Sequence, residues 1–296
     1  MPLQSVNFQA LLEPKFRKIF FEAYSEIPEQ YSKVFNVKKS TKAKEYDYHV
    51  SGTGVWEEKQ PSGPIAEDTI EHGQEVTYIH KSYAKMISVE RELADDDQYN
   101  VIDKLPRSLG RGCRVTVEET AAAILNNGFL SNGYDGVPLF SASHPLLRGG
   151  SASNLLTGAA LEDASLKLAI AAMRTNTLTQ EGFKMQANAK QLVVHPDNEF
   201  TALTLVGSSQ TAGTANNDKN VIKDRLSVVV LDYLDDSDAW FLRDPRLSET
   251  NFFWRVKPEF KSMEVFDNMV AKYRGYCRFS VGYSDWRGWI GNPGGS

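Results

Sequence analysis

The sequence predicts an α+β fold, on three observations. Apolar residues recur at steps of three and four through residues 105–125, the mark of one buried helix face. Residues 44–90 instead alternate apolar and polar side chains, as strands with one covered face do, and residues 250–260 and 269–283 read as long strands rich in aromatics. No unit repeats with a period of about 20–50 residues, which excludes a solenoid.

Taken in order, residues 1–36 read as an arm with one helix. Pro14 fits its first turn, Phe16, Ile19, Phe20, Ala23 and Tyr24 form its stripe, and Pro28 ends it. Lys38, Lys39, Lys42 and Lys44 lack interleaved aromatics, so a solvated turn is favoured over a nucleic-acid patch. Residues 44–90 then predict two long strands, with the Pro- and Gly-rich residues 59–74 as a flexible tip.

The central helix carries Leu105, Leu109, Cys113, Val117, Ala121 and Ile124 or Leu125 on one face. Asp95, Asp96 and Asp97 would favour its N-terminus. Asn126, Asn127 and Gly128 suit a left-handed cap. Pro106 predicts a short helix before it and a long one after it, or a kink. From 107 to 125 this helix would be about 28 Å long at about 1.5 Å per residue.

Residues 148–158 form a polar connector, followed by a helix over 161–175 with Asp163 in its first turn and Arg174 in its last. Residues 191–195 read as a buried strand, and Pro196 and Asp197 start a helix through Phe200, Leu203 and Val206. Residues 207–220, nearly all small or polar, predict a long mobile loop. Residues 226–234 and 239–242 suggest a hairpin pair around Asp235, Asp236, Ser237 and Asp238. Long aromatic-rich strands over 250–260 and 269–283 follow, then a Gly-rich tail over 285–296 that holds Trp286 and Trp289.

The totals limit function. In 296 residues, 33 Lys and Arg stand against 38 Asp and Glu, a net charge of −5. Such a chain is a poor candidate for tight, sequence-independent DNA binding, which needs clustered cations. Cys113 and Cys277 have neither metal nor framework spacing and read as buried free thiols. No run of about 18 apolar residues exists to span a membrane, and residues 1–10 do not resemble a signal peptide, so a cytoplasmic site of synthesis is expected.

Candidate chemistry is sparse. His144, with Asp135 and Ser141 or Ser143 nearby, has the residue types of a hydrolase triad. A triad is defined by geometry, however, and neither G-x-S-x-G nor H-E-x-x-H is present. The favoured role of His144 is structural, bonding backbone in a rigid loop. The Asp groups at 95–97 and 232–238 lack EF-hand spacing, and Gly110 and Gly112 sit in a helix rather than after a strand. Trp240, Trp254, Trp286 and Trp289 read as core or interface anchors. No catalytic, cofactor or metal residue is assigned.

LGRGCRVTVEETAAAILNNGF, followed by YDGVPLFSASHPL and SASNL, resembles the major capsid (head) subunits of Mu-like tailed phages. Their D-G-x-x-L-F-x-x-x-H-P-L loop falls on Asp135, Gly136, Leu139, Phe140, His144, Pro145 and Leu146, and residues 91–99 resemble the lead-in to their spine helix. The resemblance implies a Hong Kong 97-type capsid fold. Its parts would be an N-terminal arm (1–43), an extended E-loop hairpin (44–90), a peripheral P domain with the spine (91–160), an axial A domain (161–248), and returning P-domain strands with a tail (249–296).

It further implies a non-enzymatic shell subunit that forms hexamers and pentamers of itself. Portal and scaffolding or decoration proteins would be partners, double-stranded DNA would be held by containment, and the location would be a virion assembled in a bacterial cytoplasm, with no membrane or cofactor. Tyr46, Tyr48, Val55, Trp56, Tyr78 and Ile79 of the hairpin would contact a neighbouring subunit. No fused N-terminal scaffold is expected, and Lys59 is not expected to crosslink. The alternatives are a hydrolase using His144 and, more weakly, an encapsulin-like compartment shell.

Overall fold

The computed structural model describes residues 8–56, 58–63, 65, 67–90, 92, 96, 101–210, 219–265 and 270–295. Helix α1 (Phe8–Glu26) starts earlier than the sequence suggests, so Pro14 lies inside it rather than in its first turn. Pro14 is exposed, where water can take up the carbonyl that the ring leaves unpaired. Phe16, Phe20 and Ala23 are buried, and the helix stops before Pro28.

The spine is helix α2 (Lys104–Asn126), 23 residues and so about 34 Å long at about 1.5 Å per residue. Pro106 falls in its first turn, where the missing N–H costs no helical bond. Neither a separate α-helix before Pro106 nor a kink results; residues 101–103 form a 3-10 turn. The acid at its start is Asp103, paired with Lys15 at 2.8 Å, and not the 95–97 group, of which only Asp96 lies within the described residues. At the other end Asn127 has φ −91°, so there is no left-handed cap; its side-chain amide donates to the Ala123 carbonyl instead.

Four strands build the first sheet, in the order β1 (Asn36–Lys39), β10 (Thr250–Val265), β11 (Val270–Tyr283), β4 (Lys81–Glu90). Strand β1 runs parallel to β10, and the other pairs are antiparallel. The lysines read as a turn therefore include Lys38 and Lys39 of an edge strand, where Lys discourages further pairing. The two-strand expectation for 44–90 is also corrected. Strands β2 (Lys44–Val50) and β3 (His72–Ile79) pair only with each other, and β4 joins β11. Helices α1 and α2 cover one sheet face through Phe16, Phe20, Leu109, Phe260 and Tyr273.

The second sheet has the order β12 (Trp289–Asn292), β9 (Trp240–Arg243), β7 (Gln191–Val194), β8 (Ser227–Val230). Strands β8 and β9 are not a hairpin. Helix α4 (Glu199–Gly207) carries the chain from β7 to the parallel β8, and β9 pairs on the other side of β7. Residues 211–218 of the expected mobile loop lie outside the described residues. The Gly-rich tail is also corrected: it supplies β12, paired with β9, and Trp286 and Trp289 are buried.

This second sheet is buried on both faces. Leu192, Val194, Trp240, Leu242 and Ile290 meet α4 and helix α3 (Asp163–Asn176), whose Leu166, Ile170 and Met173 are buried while Leu168 is exposed. Glu162 and Ser165 cap α3 reciprocally. The alternate residues Val193, Val229, Phe241 and Trp289 join Val117, Ala121 and Leu125 of α2 and Phe252, Trp254 and Phe279 of the first sheet. The C-terminal half of the spine thus holds the two sheets to one core.

Candidate functional site

The D-G-x-x-L-F-x-x-x-H-P-L segment follows α2 directly. Gly136 adopts φ +82°, which favours glycine, and Leu139 and Phe140 drop into the shared core, Phe140 against Phe129 and Phe241. Strands β5 (His144–Pro145) and β6 (Ser151–Ala152) form a minimal pair, with Pro145 exposed.

His144 is fully buried, and side chains rather than backbone hold its ring. Its Nδ1 lies 2.6 Å from Asp135 Oδ2, its Nε2 lies 3.0 Å from Asn154 Oδ1, and its face stacks on Trp286 at 4.3 Å. The Asn154 amide nitrogen donates to the Leu139 carbonyl while its oxygen accepts the Ser141 N–H, which fixes the amide's orientation. His144 Nε2 is therefore a donor. The Ser141 hydroxyl oxygen accepts the N–H of Ser143, and neither serine hydroxyl bonds the imidazole. Asp135 and His144 do meet, as their spacing allows, but in a sealed brace. Trp286 reads from the sequence only as a core or interface anchor and Asn154 is not singled out there, because nothing local marks either as a partner of His144.

A second buried polar pair ties arm to spine. Glu118 accepts the backbone N–H groups of Gln30 and Tyr31, and Arg114 lies 3.7 Å from Glu118 and over the Tyr24 ring. Burial holds the Glu118 carboxyl above its usual range despite these partners. Their spacing of four on the apolar face was the available signal.

The hairpin is the most exposed apolar feature. Tyr46 and Tyr48 on β2, Val55 and Trp56 beyond it, and Ile79 on β3 all face solvent, Trp56 being 91% exposed. Ile65 and Ile70, which sequence analysis did not single out, are exposed as well. Tyr78 differs: it is 4% exposed, because alternation along β3 turns it from Ile79's side onto the first sheet of the same chain. There its ring meets Phe253, its hydroxyl bonds Ser284 Oγ at 2.6 Å and the Asn251 amide at 3.3 Å, and burial pushes its pKa up to about 12.

The loop end of the ribbon, where residues 51–71 leave β2 and return to β3, is clasped to the body. Arg148 bonds Asp68 at 2.7 Å and the Thr69 carbonyl at 2.9 Å, and the Gly52 N–H donates to Glu181. His49 bonds the Ser284 carbonyl and stacks on Tyr134. The Arg148 hydrogen bond leads the causes that hold Asp68 down to about 2. Among the described residues no cluster of three or more His, Cys, Asp or Glu suits a metal ion, and no helix is long and apolar enough to cross a membrane.

The model of the phage capsid protein family matches residues 74–292. The chain is 28% identical over 137 residues to the Mu-like prophage FluMu major head subunit of Haemophilus influenzae, a match that takes in 44% of this chain and spans 42% of that relative's length. The fold is similar to the procapsid of bacteriophage JBD30 (TM-score 0.53, 19% identity, 98% of this chain and 76% of that one). It is also similar to the capsid of cyanophage P-SCSP1u (TM-score 0.63, 10% identity, 88% and 86%). With the spine, the braced loop and the hairpin in place, this chain belongs to the phage capsid protein family and has the Hong Kong 97-type capsid fold.

Proposed function

We propose that the chain is a major capsid subunit, a structural protein that assembles with copies of itself, as hexamers and pentamers, into the icosahedral head shell of a tailed phage. The exposed apolar hairpin carries this reading, supported by family membership. Strand β2 alone spans about 23 Å at about 3.3 Å per residue, and residues 51–71 continue from its end. A two-stranded ribbon is marginal alone in water, and Trp56, Val55 and Ile65 stay largely exposed among the described residues. A neighbouring copy is the economical cover.

In domain terms, residues 44–79 form the extended loop, the first sheet with α1 and α2 the peripheral domain, and the second sheet with α3 and α4 the axial domain. DNA is contained rather than gripped, in keeping with the net charge of −5. Portal and scaffolding or decoration proteins complete the head, and assembly takes place in the host cytoplasm. The sealed environment of His144 leaves it no path to a substrate, which favours a structural over a hydrolytic role.

Expression of the chain, with negative-stain microscopy, tests the proposal. Closed shells tens of nanometres across are expected. Replacing residues 51–71 with a short Gly-Ser turn should leave a folded subunit that forms none, and full-size shells from that variant would refute the role of the hairpin. Particles native to a cell that carry neither DNA nor a tail would point instead to a cellular compartment.

A further inference from the structure

Two thiols in the body serve none of the contacts described so far. Cys113 lies on α2 and Cys277 on β11, about 160 residues apart in sequence, yet Cys113 packs against the core cluster that holds Cys277 and both face the same gap between helix and sheet. Cys277 is 2% exposed, on the strand face turned toward the spine. Cys113 is only half-buried. Both line an open groove of about 420 Å³ between the spine and strands β4 and β11, with Gly112, Thr116, Ser82 and Gly275 among its walls. Both are free thiols here.

We propose that Cys113 and Cys277 form a reversible redox staple, a site at which a small-molecule disulfide converts the two thiols into one intrachain disulfide that ties the spine helix to the central strand of the first sheet. Three observations assign the roles. The groove gives a small disulfide access to the half-buried Cys113, while Cys277, on the same wall, is only 2% exposed. The neighbouring Cys277 thiol lowers the Cys113 pKa, with a smaller contribution from the Arg114 charge, and Cys113 in turn raises that of Cys277. Cys113 is therefore the attacking thiolate and Cys277 the resolving thiol.

In the first step Cys113 Sγ attacks one sulfur of the external disulfide. Its S–S bond breaks, one external thiolate leaves and takes up a proton, and a mixed disulfide remains on Cys113. In the second, Cys277 loses its proton and attacks Cys113 Sγ, and the second external thiol departs. Two cysteine thiols are oxidised to one disulfide, and the external disulfide is reduced to two thiols. A subunit made in a reducing cytoplasm would carry the thiols, and release into oxidising surroundings would close the staple. Closing so long a loop restricts the unfolded chain strongly. The proposal rests on the fold alone, so its failure would leave the shell reading untouched.

Incubating the purified full chain with oxidised glutathione, then measuring intact mass without reductant, tests it. The expected product has lost two hydrogens, yields a linked pair of peptides containing Cys113 and Cys277, unfolds at a higher temperature, and reverts with dithiothreitol. Cys277→Ser should stop at a single glutathione adduct on Cys113, and Cys113→Ser should take up none. A stable glutathione adduct on the wild-type chain, disulfide-linked dimers, no reaction, or an unchanged unfolding temperature in the linked chain would each overturn it.

Discussion

Gly110 of α2 packs directly on the backbone of Phe20 in α1, with the Phe20 carbonyl oxygen standing where a β-carbon would lie. One turn-half away, Gly112 has nothing within 4 Å of that position. The two glycines of one helix thus have opposite reasons for their size. Gly110→Ala should destabilise the chain by about 2 kcal/mol through overpacking. Gly112→Ala should stabilise it by about 0.5–1 kcal/mol, because glycine in a helix interior is entropically costly. Urea unfolding midpoints of the two variants check this, and equal shifts would mean that α1 does not dock as described.

Tyr78 and Trp56 belong to the same hairpin but should separate stability from assembly. Tyr78→Ala removes a buried ring that packs on Phe253, and should cost about 3 kcal/mol. Trp56→Ala should change subunit stability by less than about 0.5 kcal/mol while sharply reducing shell yield. Thermal unfolding of free subunits and sedimentation of assembly reactions would show it. A Trp56 variant that assembles normally would place the interface elsewhere.

His144→Ala should destabilise the chain by about 3 kcal/mol, since it opens a cavity under Trp286 and leaves the Asp135 carboxylate buried without its partner. Ser141→Ala and Ser143→Ala should lie within about 0.5 kcal/mol of the wild type, because neither hydroxyl bonds the ring. A stable His144 variant with altered esterase activity would instead revive a catalytic role.

Asp68 gives the loop end of the hairpin a pH dependence of defined sign. Its folded-state pKa is depressed from 3.8 to about 2, so its contribution is fully present above the unfolded value and is lost as pH falls through the folded one. Amide protection at Gly54 and Thr69, whose N–H groups donate to Asp68, should hold at pH 5 and fade between about pH 4 and pH 2. Arg148→Ala should move that loss to higher pH. Protection that is flat across this range would show that the clasp does not hold the hairpin.

In α3, Leu166, Ile170 and Met173 are buried while Leu168 of the same helix is exposed: periodicity predicts the helix, and only packing decides which of its apolar residues are covered. The spine and the strand pair β10 and β11 were legible from the pattern of residue types along the chain, and the motif loop from its resemblance to the head subunits of Mu-like phages. The misreadings of the strands concern partners. Strand β4 looks like the return arm of a hairpin, β8 and β9 look like neighbours, and residues 285–295 look like a tail, because alternation gives a strand its faces without saying what lies at its edges.

By itself, the amino-acid sequence determined the helices, the strand faces and the nearness of Asp135 to His144 along the chain, all of which follow from local backbone geometry and short spacing. Only the tertiary structure decided that Tyr78 turns inward while its neighbour Ile79 stays bare, that Trp286 and Asn154 close around His144, that β12 completes the second sheet, and that Cys113 meets Cys277. Those contacts join segments far apart in sequence, and what selects them is the joint burial of apolar faces and the pairing of buried polar groups, a condition on the whole chain that no single segment contains.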